Sequence, residues 1–116
     1  MYKRGYRFEI KLKEMLEREG YLVIRSAGSK GVDLIAGKGS RLMIFECKAT
    51  KKEMLYIDKE DVFKLLEYSR AFKAVPYIAV KFGKDILFFS PYNIEEKGKS
   101  FLVRVEEGLK FEDIVR

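Results

Sequence analysis

The chain has 116 residues, 47% of them hydrophobic, which suits one domain with its own core and argues against disorder. It has no histidine and a single cysteine, so His-dependent triads, zincin sites, an internal disulfide and a zinc knuckle are all excluded. The net charge of +6 is uneven: residues 1–52 hold 13 Lys or Arg against six Asp or Glu, and the rest is nearly balanced. A basic half fits a polyanion such as nucleic acid, or simply a solvated charged surface.

No apolar run approaches the roughly 18 residues of a membrane span. Residues 1–19 alternate charged and apolar groups, unlike a signal peptide. The expectation is an intracellular protein, cytoplasmic and nucleoid-associated, with no membrane partner. The absence of Gln and the single Asn, beside many Lys and Glu, hint at a hyperthermophilic source.

In chain order, Lys3 and Arg4 lie in a basic start at Met1–Arg7 that reads either as a frayed end or as an arm onto phosphates. From Gly5 to Glu19, the spacing of Phe8, Leu12, Met15 and Leu16 predicts a helix ended by Gly20. Glu9 falls at the edge of its apolar stripe. Tyr21–Arg25 reads as a strand, and residues 26–31 as a small-residue loop that lets backbone approach a ligand. Val32–Ala36 and Arg41–Ala49 read as antiparallel strands joined by a tight turn at residues 37–40. That pairing would bring Asp33 beside Glu46.

Lys51 and Lys52 lie in a basic loop, and Lys59–Phe72 reads as a second helix. Its core stripe is Val62, Leu65, Leu66 and Ser69. Tyr68 and Phe72 form an apolar i, i+4 pair on another face, suited to further core or to an interface. Pro76–Phe82 and Ile86–Ser90 are expected strands. Phe101–Val105 reads as a strand and Phe111–Val115 as a short helix. The order gives an α/β fold with a mixed central sheet flanked by helices, the strand after the second helix running parallel to a partner. A single domain over residues 1–116 is expected, with a core at 1–90 and a C-terminal extension at 91–116.

The chemistry concentrates at Asp33 and Glu46-Cys47-Lys48. Alternation along a strand puts Glu46 and Lys48 on one face and Cys47, a small core residue, on the other. An ionised acid and a lysine in an apolar strand are costly unless paired or bound to a metal. Two carboxylates on adjacent strands suit Mg²⁺, with Mn²⁺ as a substitute, and Glu9 could add a ligand or hold a metal water. Such an ion activates water and neutralises phosphate charge, while the lysine orients the nucleophile and stabilises the transition state. Phosphodiester hydrolysis needs these parts and no histidine.

The run Arg25-Ser26-Ala27-Gly28-Ser29-Lys30-Gly31-Val32-Asp33-Leu34, then Glu46-Cys47-Lys48, then Leu55-Tyr56, resembles the archaeal Holliday junction resolvases of the Hjc type, in the PD-(D/E)xK nuclease superfamily. The resemblance covers about residues 1–82. It implies a restriction-endonuclease-like core and a homodimer that binds four-way junction DNA and makes Mg²⁺-dependent symmetric nicks. On this footing Asp33, Glu46 and Glu9 match the metal and catalytic acids, and Lys48 the catalytic lysine. Arg25 matches a basic residue near the scissile phosphate, and Ser29 and Lys30 a loop that assists cleavage. Tyr68 and Phe72 match the aromatics that pair subunits. Ile10 departs from the pattern, standing where relatives carry a basic residue. Two other readings stay open at this stage: a PD-(D/E)xK nuclease for other DNA, and a nucleic-acid-binding module without catalysis.

Overall fold

In this computed structural model, residues 3–26 and 31–116 are described, with side chains from residue 6 onward. The first helix, α1 (Lys3–Arg18), leads into β1 (Leu22–Arg25), β2 (Leu34–Lys38) and β3 (Arg41–Thr50). After β4 (Met54–Asp58) come α2 (Lys59–Phe72), β5 (Val75–Phe82) and β6 (Asp85–Phe89). The chain closes with β7 (Glu95–Lys97), β8 (Ser100–Arg104), a 3₁₀ turn (Val105–Glu107) and α3 (Phe111–Val115).

The main sheet has the order β1-β2-β3-β5-β6, so β3 is its central strand. The β2–β3 hairpin closes through Gly39-Ser40, with Lys38 opposite Arg41. Gly39 has φ +60°, a left-handed conformation that a side chain would strain. The pairing expected between these strands is therefore present. So is the parallel strand after the second helix: β3 and β5 run parallel from Met43↔Val75 to Thr50↔Phe82.

Two strands were not legible in advance. Met54–Asp58 pairs with Ser100–Arg104, and Glu95–Lys97 pairs with the same strand, giving a second sheet of order β4-β8-β7. The β4 sequence Met-Leu-Tyr-Ile-Asp carries only one fully buried side chain, Ile57, so its alternation is weak. The β7 residues are all exposed and charged, which is a poor strand signal.

The main sheet separates two apolar layers. Phe8, Leu12 and Leu16 of α1 pack with Leu34, Met43, Phe45, Cys47, Phe88 and Ile114. On the other face, Val62 and Leu65 of α2 pack with Ile44, Ile57, Ile78, Val80 and Val103. Strand β3 feeds both layers, its odd positions 43, 45 and 47 toward α1 and Ile44 toward α2. Residues 91–116 share in both layers through Val103 and Ile114. Arg41 also ties down the end of α3, donating to the carbonyls of Ile114 and Val115 at 3.0 Å each.

The approach to α3 is tight at Gly108. A Cβ built there would lie 2.6 Å from Leu87 Cβ and 2.9 Å from the Phe89 ring. Gly108→Ala is expected to lower stability by about 1–3 kcal/mol through overpacking. Denaturant unfolding checks this, with Gly83→Ala as the comparison, since its open surroundings leave only backbone strain.

Candidate active site

Asp33 sits immediately before β2, where the backbone already follows the sheet. Its N–H donates to the Phe45 carbonyl at 3.0 Å, and its own carbonyl accepts from the Ser26 N–H at 2.9 Å. Its side chain then reaches to β3, where Oδ2 accepts the Cys47 N–H at 2.7 Å. The carboxylate is thus fixed by main chain on both sides of Glu46.

Glu46 and Lys48 project from β3 on the α2 side, and Cys47 is buried on the α1 side. Glu46 is only 8% exposed. Lys48 Nζ lies 3.5 Å from Glu46 Oε2, and Glu46 Oε1 is buried without a hydrogen-bond partner among the described residues. Burial first, then repulsion by Asp33, pushes the Glu46 carboxyl from its ordinary 4.5 to about 7. Burial also raises Asp33, partly offset by the Cys47 N–H and the charge of Lys48.

The first helix brings its acid to the same place. Glu9 is raised by burial and by contact with Asp33, against the pull of Arg25. Arg25 Nε donates to Glu9 Oε1 at 2.9 Å, and its guanidinium lies 4.5 Å from the Tyr6 ring centroid. Asp33 therefore bridges Glu9 on one side and Glu46 on the other. Among the described residues, no group of three acid, Cys or His side chains forms a ready-made metal cage.

Helix α2 supplies two groups that sequence reasoning did not single out. Asp61 Oδ2 accepts from Lys48 Nζ at 2.9 Å. The Lys64 charge acts favourably on both Asp33 and Glu46. Burial alone would lower Lys48, but its hydrogen bond to Asp61 and the Glu46 charge outweigh that and raise it. Asp61 gave only a weak signal, because an acid in a first helical turn is ordinarily explained by the helix dipole.

Of the other residues named from sequence, Lys51 and Lys52 are exposed between β3 and β4. Tyr68 and Phe72 stack with centroids 6.1 Å apart; Phe72 is exposed, and Tyr68 is partly packed on the α2-side core. Ser29 and Lys30 lie outside the described residues, as do the side chains of Lys3 and Arg4. No helix of the described residues is long and apolar enough to cross a membrane.

The residues present fit a divalent cation. An orphaned buried carboxylate oxygen beside a second carboxylate is a hard-oxygen donor pair. Mg²⁺ in particular binds through one or two carboxylates plus water and phosphate rather than through a full protein cage.

The family model described as archaeal Holliday junction resolvase (Hjc) matches residues 1–116. The chain is 49% identical over 102 residues to the crossover junction endodeoxyribonuclease Hjc of Methanocaldococcus jannaschii, covering 88% of this chain and 77% of that protein. It is 34% identical to the Archaeoglobus fulgidus Hjc, over 89% and 80% of the two chains. The solved structure of A. fulgidus Hjc, titled as a Holliday junction resolvase from an archaeal hyperthermophile, superposes with a TM-score of 0.90 at 30% identity, over 97% of this chain and 95% of that one. The architecture is restriction-endonuclease-like, with a mixed central sheet flanked by helices.

The raised carboxyls have a consequence for stability. An acid with a higher pKa folded than unfolded binds more protons when folded, so stability falls as pH rises between the two values. For Glu46 that window runs from 4.5 to about 7. Metal-free wild type should therefore lose melting temperature across that range relative to Glu46→Gln, and Mg²⁺ should stabilise wild type more at pH 8 than at pH 5. Parallel melting curves for the two proteins would contradict the assignment.

Proposed function

The chain belongs to the archaeal Holliday junction resolvase family, and from that membership we propose that it is a crossover junction endodeoxyribonuclease, cutting four-way DNA junctions by hydrolysing phosphodiester bonds during recombination and repair. The family is one of divalent-metal nucleases. In this reading the ion is Mg²⁺, replaceable by Mn²⁺, held by Asp33 and Glu46 with Glu9 in support. The ion, when bound, supplies charge for the scissile phosphate and a more acidic water.

The observation that carries the reading is the buried, half-unpartnered Glu46 carboxylate beside Asp33 with Lys48 3.5 Å away. The roles of the chain's own residues follow from their positions. Asp33, pinned through Oδ2 by the Cys47 N–H, would share its carboxylate with the ion. The Lys48 ammonium orients the attacking water and meets the negative charge that grows on the phosphate. Arg25, steadied by Glu9 and Tyr6, presents a guanidinium to the DNA backbone. Lys51 and Lys52, exposed between β3 and β4, bind DNA phosphates in this reading; Lys3, Arg4 and Lys30 are given the same role from their sequence alone, and Ser29 a role in cleavage from the family resemblance.

The molecule is proposed to act as a homodimer through Tyr68 and Phe72. Phe72 is 47% exposed and stacked on its neighbour, an aromatic patch that a second copy would cover. A two-fold dimer presents two sites to a two-fold junction.

Two tests follow. Labelled four-way junction and linear duplex are incubated with Mg²⁺ and with chelator. Wild type should nick the junction in opposing strands only with metal, and Glu46→Gln should bind it at wild-type affinity without cutting. Undiminished cleavage by Glu46→Gln would reject the mechanism. Phe72→Ala should shift sedimentation toward monomer and reduce paired nicking; a monomeric wild type with full cleavage would reject the dimer.

A further inference from the structure

We propose that Asp61 is a positioning residue for Lys48, holding its ammonium in place once Glu46 is engaged by a cation; the proposal rests on the reading of Lys48 as the catalytic lysine. Lys48 has a long, flexible stem, and its ammonium meets two acceptors on separate elements. Glu46 on its own strand is at 3.5 Å, and Asp61, 13 residues on in α2, is the nearer at 2.9 Å.

The two acceptors are not equivalent. Glu46 is the carboxylate on which a divalent ion would draw, and a cation there repels the lysine. Asp61 then supplies the remaining attraction that keeps Lys48 beside the reacting phosphate. Its backbone is anchored by packing: Val62 and Leu65, on the same helix, are 1% and 0% exposed in the core shared with Ile44 of β3. Its neighbour Glu60 is in the same first helical turn and carries the same charge, but is exposed. A helix-dipole role would be common to both acids; the contact with Lys48 belongs to Asp61.

Single-turnover cleavage of labelled four-way junction tests this, with junction affinity measured in Ca²⁺ and Mg²⁺ binding by calorimetry. Asp61→Asn should slow cleavage by about 10–100-fold, the scale of a misplaced catalytic group, with junction affinity and Mg²⁺ binding unchanged. Asp61→Glu should recover most of the rate, and Glu60→Gln should match wild type. In a Lys48→Ala background, Asp61→Asn should cost nothing further. The proposal is overturned by wild-type cleavage in Asp61→Asn, by an additive loss in the double variant, or by loss of Mg²⁺ binding in Asp61→Asn. If Lys48→Ala itself cleaves normally, the reading of Lys48 falls and this proposal with it. If Lys48→Ala is slow and Asp61→Asn is not, this proposal alone fails.

Discussion

The site depends on one unfavourable placement: the Glu46 carboxylate buried on the central strand against a second carboxylate, Asp33. Burial and like charge both disfavour its ionised form. Removing a carboxylate from water without compensation costs several kcal/mol as an order of magnitude, about the scale of a domain's whole stability. The surroundings answer that cost only in part. Lys48 approaches one oxygen, Lys64 adds charge from α2, and the other oxygen keeps no partner among the described residues. The remaining deficit is one that a divalent ion between the two carboxylates would relieve, which is the basis of the proposed metal site.

The fold makes this placement possible by putting β3 at the centre. Its ladder partners, β2 and β5, fix the backbone on both sides. The antiparallel hairpin delivers Asp33, and the crossover through β4 and α2 delivers Asp61 over the same face. Helix α1 delivers Glu9 from the other layer. Groups from four elements thus meet where no single segment could supply them. Glu9 comes from the α1 side and Glu46 projects toward α2, with Asp33 acting on both from between them.

Much of this was legible because the relevant segments are regular. The hairpin follows from the glycine-rich turn read at residues 37–40 between two apolar runs, and that pairing places Asp33 beside Glu46. The parallel crossover follows from a helix between strands. The face of Lys48 follows from strand alternation. What was not legible has physical reasons as well. Strand β4 has a broken apolar pattern, and β7 is wholly charged, so each exists through its pairing with β8 rather than through its own preference. The partnership of Lys48 with Asp61 depends on where along the sheet the first turn of α2 is placed, which tertiary packing sets and the helix's own apolar stripe does not.

The most direct measurement is anomalous scattering from crystals soaked in Mn²⁺, a stand-in for Mg²⁺ with a usable signal. The account predicts a peak between the Asp33 and Glu46 carboxylates, with Lys48 still at Asp61. A peak away from both carboxylates, or none at saturating Mn²⁺ while the protein cleaves junctions in the same buffer, would contradict it.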